Sequence, residues 1–285
     1  NPTYLEVNEI NTDLVDYEQN ILTTNLNYEF QDDTNFIGFS ASVYEDLKKT
    51  DRSRYEYVLP NLSFDRNIFA DEDLGLINIF SNAYIKNVNV NDSTKMWIND
   101  VNWKSKPFTN FKGVQSEFEG LVKVVNYEAD ADKYKTEGFN SEASVAAAYN
   151  VSLPLSKKNK NKVNFLTPKM SLRFAPGHMR NIQDDDLKLS YSNLFSLNKN
   201  SQGDVVEKGT SMALGVELSN NEFVNGIPGE KNYSLAIGQV YNVDQNQDVP
   251  RRSSLNQKNS DVVGKGYVKL SKNLNLTSEF SLDNS

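Results

Sequence analysis

Leu187-Lys-Leu-Ser-Tyr-Ser-Asn-Leu-Phe195, Met212-Ala-Leu-Gly-Val-Glu-Leu218 and Tyr233-Ser-Leu-Ala-Ile-Gly-Gln-Val-Tyr241 are three runs in which apolar residues recur at every second position. In a strand, successive side chains point to opposite faces, so such a run forms a ribbon with one oily face and one polar or tiny face. All three are expected to be strands, separated by polar turns, in one sheet that buries its oily side.

Outward from these runs the same period recurs. Thr24–Phe30 and Ile37–Val43 alternate around Gln31–Asn35 and predict a hairpin. After the charged loop Glu45–Arg54, Tyr55–Leu59 and Leu62–Phe64 flank Pro60. Proline removes a ladder donor, so Pro60 is expected at a bulge within the sheet. Leu74–Phe80 is read as a strand and Asn87–Lys95 as an Asn/Asp/Ser/Thr-rich turn. Phe118–Val124 and Ala143–Leu153 are read as strands around a charged loop, Glu128–Glu142; the alanines of the second would suit a helix, but its larger residues keep period two. Lys157–Lys162 is expected to be a basic turn, Phe165–Phe174 a strand, and Leu274–Leu282 the last strand. Residues 1–20 show no clean period and suggest a loop or frayed strand. The sum is about a dozen strands of roughly ten residues in an all-β, antiparallel up-and-down meander. No composition shift marks a domain boundary, so 1–285 is expected to be one domain.

Of 285 residues, 38% are hydrophobic, and the mean hydropathy is −0.60. No stretch approaches the ~20 apolar residues of a membrane helix, whereas a transmembrane strand needs only ~9–11 residues with alternate positions apolar. With 38 acidic and 30 basic residues the net charge is −8, against a nucleic-acid partner, which calls for a basic face. Aromatics at 11% fit a β-rich chain and could form girdles at membrane interfaces. The absence of cysteine removes disulfides and thiolate metal sites from this chain.

Candidate chemistry is sparse. His178 is the only histidine and sits in a turn-like Pro-Gly-His, where a solvated loop side chain is the plainer reading. Asp184–Asp186 lacks spaced calcium ligands. Asp244, Asn246 and Asp248 have alternate spacing, but Val249 replaces the glycine and Leu255 the bidentate acid of a calcium loop. Asp130, Asp132 and Glu137 read as a charged loop. Gly264-Lys-Gly266 lacks the third glycine of a dinucleotide fingerprint. Lys157–Lys162 and Arg251-Arg252 could meet phosphates or simply be solvated turns. No residue receives a catalytic, metal or cofactor role, and the chain is not expected to be an enzyme.

The segments around the opening runs are more specific than their period. Asn193-Leu-Phe195, Asn198, Gly203-Asp204, Glu207-Lys-Gly209, Gly238-Gln239-Val-Tyr241 and Ser260-Asp261-Val-Val-Gly264 follow one another in an order and spacing that resemble the barrel domain of the lipopolysaccharide transport protein D (LptD) family. The family pattern has an aromatic-Asn-Arg strand end, a Gly-Asp turn, a Glu-x-Gly strand start, a Gly-Gln-x-Tyr strand and a Ser-Asp-Ile/Val-Val-Gly strand start. Lys199 stands where the family usually has arginine, and Asn200-Ser-Gln replaces its Phe-Ser. Pro60, Trp103 with Pro107 and Gly113, and the strand bracketed by Pro168 and Pro176 resemble further passages. The roles of these signature residues are taken as structural.

The resemblance implies part of a large transmembrane barrel in the outer membrane of a Gram-negative bacterium. It implies lipopolysaccharide as cargo, carried without bond chemistry through the lumen and a lateral gate into the outer leaflet. It further implies a plug lipoprotein resembling LptE, a periplasmic bridge protein resembling LptA, outer-membrane lipid around the barrel, and no cofactor. With no terminal aromatic, and with Asn1-Pro2-Thr3 at its start, the chain is expected to be an internal fragment, with a periplasmic domain and the closing strands outside it. A nonspecific porin would share the alternation but lack these signatures. A soluble β-sandwich binding module would bury its oily face in protein, and a hydrolase would require a nucleophile and base that do not gather around His178.

Overall fold

The computed structural model describes residues 20–283 except 51–53, 72, 90–91, 111, 131–134, 136, 184–186, 201–202 and 225–226. Expectations for residues 1–19, Asp132 and Asp184–Asp186 lie outside the described residues. The strands are β1 (Ile21–Gln31), β2 (Asn35–Asp46), β3 (Tyr55–Asp71), β4 (Gly75–Asn89), β5 (Asp92–Lys104), β6 (Phe108–Thr109), β7 (Gln115–Asp130), β8 (Gly138–Ser152), β9 (Leu155–Asn159), β10 (Lys162–Ala175), β11 (Gly209–Val224), β12 (Ile227–Asn242), β13 (Val262–Ser271) and β14 (Leu274–Leu282). They follow one another in the order β1-β2-β3-β4-β5-β7-β8-β10-β11-β12-β13-β14, with β6 on β7 and β9 on β10. The expected all-β antiparallel meander is therefore present, with twelve strands on the main path among the described residues.

Several strands run further than their apolar cores. The turn expected at Asn87–Lys95 is mostly strand: β4 continues to Asn89 and β5 begins at Asp92. The charged loop expected at Glu128–Glu142 shrinks in the same way, because β7 reaches Asp130 and β8 starts at Gly138. The basic turn Lys157–Lys162 is largely the β9–β10 hairpin. In each case ladder hydrogen bonds carry polar residues along with the neighbouring strand.

Both prolines expected inside the sheet have a place in the ladder. Against β2, the register of β3 slips between Ser40/Asn61 and Ser42/Val58, so Pro60 occupies a bulge. Pro168 lies between the β9-paired part of β10, which ends at Leu166, and the β8-paired part, which starts at Lys169. Its carbonyl accepts from Leu153 at 3.0 Å, so its missing N–H falls on the side where β8 and β9 break apart. Pro176 follows the last residue of β10.

The chain forms two compact units. The first comprises the described residues of 20–68, 78–100 and 124–142. In it Leu26, Tyr28 and Phe30 of β1 pair with Ala41, Phe39 and Ile37 of β2 on one oily face, where Leu26, Tyr28, Phe30 and Ile37 are exposed and Phe39 and Ala41 half-buried. Met96, Ile98, Val125, Tyr127 and Ala129 form a buried cluster beside Tyr84.

The second unit comprises 69–77, 101–123 and 143–285. Register aligns its faces across three strands. Leu166, Leu218 and Leu235 form one row, Pro168, Val216 and Ile237 the next, and Leu172, Met212 and Tyr241 another. Leu166, Leu172, Phe174, Leu214, Val216, Leu218, Leu235 and Tyr241 of this apolar face are exposed. On the opposite face the rows are small or polar: Ser171, Ala213 and Val240, then Lys169, Gly215 and Gly238. The core of the unit is built on that second face.

One expectation fails outright. Leu187–Phe195 is not a strand but part of the irregular connection 176–208 between β10 and β11. Leu187, Leu189 and Tyr191 are buried, as is Leu194, and they join Ala213, Ala236, Val240 and Val263 in one cluster. The side chain of Asn193 supplies the partners that a ladder would have supplied: Oδ1 accepts from Ser190 N at 2.8 Å, and Nδ2 donates to Lys188 O at 2.9 Å. The alternation reports burial on one side, which a docked irregular segment can satisfy as well as a strand.

Candidate functional site: a segment docked on the small-residue face

Leu194 and Phe195, in the connection between β10 and β11, are seated on a floor made by glycines. Gly215 of β11 and Gly238 of β12 are register partners. A Cβ built on Gly215 would come within 2.9 Å of Phe195 Cζ, and one on Gly238 would collide with Leu194 Cδ2. Phe195 also meets Tyr191 edge-on at 5.9 Å between ring centroids. Two adjacent positions without side chains thus receive two consecutive large ones.

Polar clamps fix the rest of the segment. Arg173 of β10 is buried, and its guanidinium donates to the backbone carbonyls of Leu197 and Glu207, tying two points of the connection to one strand. Lys123 of β7, 3% exposed, donates to Gly203 O at 2.6 Å. Gly203 has φ +76°, a left-handed turn conformation that favours glycine, and it is followed by Asp204, which pairs with Arg180 at 3.1 Å. Asn198 Nδ2 donates to Val205 O at 3.0 Å across the same turn.

Lys199, Glu207 and Arg173 form a buried charge group. Lys199 Nζ lies 3.1 Å from Glu207 Oε1, and Arg173 Nε lies 3.8 Å from the same oxygen. Burial pushes the Glu207 carboxyl up, but the attraction of Lys199 and Arg173 and the Lys199 hydrogen bond outweigh it and hold the group below the usual glutamate value. Burial pushes the Lys199 ammonium down, against the attraction of Glu207 and with the repulsion of Arg173. Lysine here stands where the family pattern usually has arginine, and it pairs with Glu207.

A second connection, 243–261, closes the arrangement from the β12–β13 side. Ser260 is fully buried: its Oγ accepts from Val240 N at 2.9 Å, and its carbonyl accepts from Gln239 Nε2 at 2.6 Å. Tyr241 Oη donates to Gln239 Oε1 at 2.9 Å. Asp261 accepts from Ser281 Oγ of β14 at 3.1 Å, and Gly264 leaves room for the Phe280 ring on the apolar face. Asp248 pairs with Lys208 at 2.7 Å, and Asn246 Nδ2 donates to Lys208 O at 3.2 Å, linking the two connections. Asp244–Asp248 therefore acts as a tether.

Asn193, Phe195, Asn198, Gly203, Asp204, Glu207, Gly238, Ser260 and Asp261 thus belong to this one arrangement of two connections on their floor; Gln239 reaches it through Ser260 O, Tyr241 stands on the apolar face bonded to Gln239, and Gly209 opens β11 beside it. Pro168 and Pro176 border it on β10. Pro60 lies in the first unit, and Trp103, whose Nε1 donates to Leu74 O at 2.9 Å, lies away from it. His178 is exposed beside buried Met179 and Arg180. Missing from the expected set were Lys123, Arg173 and Gly215. Their signal was present in the sequence as a charge or a glycine on the non-apolar register of an alternating strand.

No curated protein matches the chain. The family model described as LPS transport system D matches residues 126–285, which takes in the docked segment, its floor and β8 to β14 and leaves out Pro60, Trp103 and Pro107. That match spans more than half of the 285 residues, and the chain belongs to the LPS transport system D (LptD) family.

Proposed function

We propose that this chain is part of a single barrel domain in the outer membrane of a Gram-negative bacterium, and that it serves assembly of lipopolysaccharide into the outer leaflet. The observation that carries the reading is the division of faces in the second unit. Large apolar side chains stand exposed on one face of β10, β11 and β12, while the opposite face bears small and polar residues and the docked segment. Water disfavours such an exposed row, and acyl chains accept it. Backbone groups in hydrocarbon must all be paired, and a sheet closed on itself meets that demand.

The small-residue face then looks into the lumen. An amphiphile suits this division: its sugars travel along the polar interior, and its acyl chains pass sideways into lipid through a lateral gate. No bond is made or broken. A plug lipoprotein and a periplasmic bridge protein would be the protein partners, by family membership. A soluble sandwich would have covered the apolar rows with a second layer, and among the described residues the layer that covers the second unit lies on the other face.

Two measurements test the reading in the intact protein. Depletion in cells should lower surface lipopolysaccharide, and the reading fails if surface levels hold or if the protein fractionates with the cytoplasm. Nitroxide labels at Val216 and Leu235 should be quenched by lipid-soluble oxygen, and labels at Ser219 and Ser234 by a water-soluble relaxant. The reverse pattern overturns the assignment of faces.

A further inference from the structure

The apolar face of the second unit stops at one level. Leu155, Leu166, Leu218 and Leu235 stand side by side across β9, β10, β11 and β12, and all four are exposed. Two residues further along each strand, on the same face, the row reads Lys157, Asn164, Asn220 and Tyr233. Asn220 Nδ2 donates to Asn164 Oδ1 at 2.6 Å, so polar side chains are tied together where the leucines end. The row after that carries Asn159, Lys162 and Glu222. A strand rises about 3.3 Å per residue, which puts the Lys157 row about 7 Å beyond the leucines.

Charge beyond this edge is one-sided. Lys157, Lys158, Lys160 and Lys162 fall in the β9–β10 hairpin with no acidic residue in 155–163, in a chain whose net charge is −8. All four are exposed, and none forms an ion pair among the described residues. Glu222 stands opposite Lys162 in the ladder without pairing with it, and nearby Glu230 is taken by Lys269. Lys158 is turned to the other face, with its Nζ 3.8 Å from the Phe223 ring centroid. Exposed ammonium groups at the rim of an apolar face, beside an exposed tyrosine, match the layer where hydrocarbon gives way to phosphates. The connections identify the leaflet. Two residues join β9 to β10 at this end and two join β13 to β14, whereas the long connections 176–208 and 243–261 leave from the other end. Outer-membrane barrels have short turns on the periplasmic side and longer loops outside.

We propose that the β9–β10 hairpin binds anionic phospholipid headgroups of the periplasmic leaflet, with Lys157 and Lys162 meeting the phosphates and the Asn164–Asn220 pair marking the edge of the hydrocarbon. The inference rests on the outer-membrane reading above and adds to it a leaflet, a lipid class and the residues that meet it. Lys157 and Lys162 share the face of the exposed leucines, so they meet lipid and not the lumen.

The test uses the full-length protein, purified in a neutral detergent with its partner subunits. Phosphatidylglycerol, phosphatidylcholine of the same chain length and lipid A are titrated in turn, and native mass spectrometry counts the bound lipid. Phosphatidylglycerol is expected to bind more tightly than phosphatidylcholine. Joint Lys157→Gln and Lys162→Gln substitution should weaken it about tenfold, with phosphatidylcholine and lipid A binding and the melting temperature unchanged. Both positions are exposed, so glutamine leaves the fold intact. Lys258→Gln, at an exposed lysine of the connection at the other end, should leave phosphatidylglycerol binding as it is. The proposal is overturned if the two phospholipids bind alike, or if the joint variant holds phosphatidylglycerol as the parent does. It is overturned too if the joint variant loses lipid A instead, which would turn this end toward the outer leaflet. A preference that appears only after a partner subunit is removed would make the hairpin that subunit's seat and would also overturn it. Loss of surface lipopolysaccharide on depletion, together with no preference for phosphatidylglycerol, would sink the headgroup site and leave the transport reading standing.

Discussion

Leu194 occupies the space that a side chain on Gly238 would fill. The leucine is fully buried, and the glycine is the register partner of Gly215, over which Phe195 lies. Strand pairing and segment docking are therefore the same event at this point: the two strands must be in register for the floor to exist.

Gly238→Val should displace Leu194 and cost about 1–3 kcal/mol, the usual range for overpacking a filled core. Because Lys199 and Lys208 belong to the displaced connection, limited trypsin digestion of the folded protein should cut there sooner than in the parent. An unchanged cleavage pattern would show that the segment is held without its glycine floor.

Removing the acid of the buried charge group should do more harm than removing a surface pair. Glu207→Leu leaves Lys199 and Arg173 buried with no opposing charge, a change that typically costs about 3–5 kcal/mol. By contrast, Glu128→Leu, which breaks the exposed pair with Lys95, should cost at most about 1 kcal/mol. Denaturant unfolding of the two variants checks the contrast.

Acid should loosen the docked segment. Glu207 has its folded value held below the ordinary 4.5, so its contribution to stability is complete above that pH and is lost as pH falls through the lower folded value. Lys199 acts at the other end of the scale: its folded value lies below the ordinary 10.5, so its burial opposes folding while it is charged, and stability gains as pH rises toward 10.5. Hydrogen exchange at the amides of 203–208 should therefore speed up below pH 4.5 in the parent. The acid-induced part should vanish in Glu207→Gln.

Charge placed on the apolar face should impair insertion. Val216→Arg should cost about 2–4 kcal/mol if the position lies near the bilayer midplane, and Ser234→Arg, on the other face, far less. Refolding of the intact barrel into lipid vesicles measures both. Equal yields for the two variants would contradict lipid contact at Val216.

Much of the strand content of the sheet was written in the chain. Period-two apolar residues at 24–30, 37–43, 212–218, 233–241 and 274–282 each lie within a strand, because exposure of alternate side chains on one face follows from strand geometry alone. Pro60 could be placed at a bulge in the ladder because proline lacks the donor that an unbroken ladder needs. The family, too, could be read from the short motifs between Asn193 and Gly264.

The identity of the run Leu187–Phe195 could not be read that way. Its alternation satisfied the strand pattern, yet Asn193 closes a turn with its own side chain, and the buried leucines pack on a face that exists only after β11 and β12 have paired. Likewise Arg173 and Lys123 looked like isolated charges in apolar strands until the fold brought the carbonyls of Leu197, Gly203 and Glu207 to them. Local geometry follows from neighbours in sequence, so the amino-acid order alone marked most of the strands and their two faces, though not their full length. Which face was covered, and by what, depended on contacts between residues far apart in sequence, such as Lys123 with Gly203, and only the tertiary structure decided that.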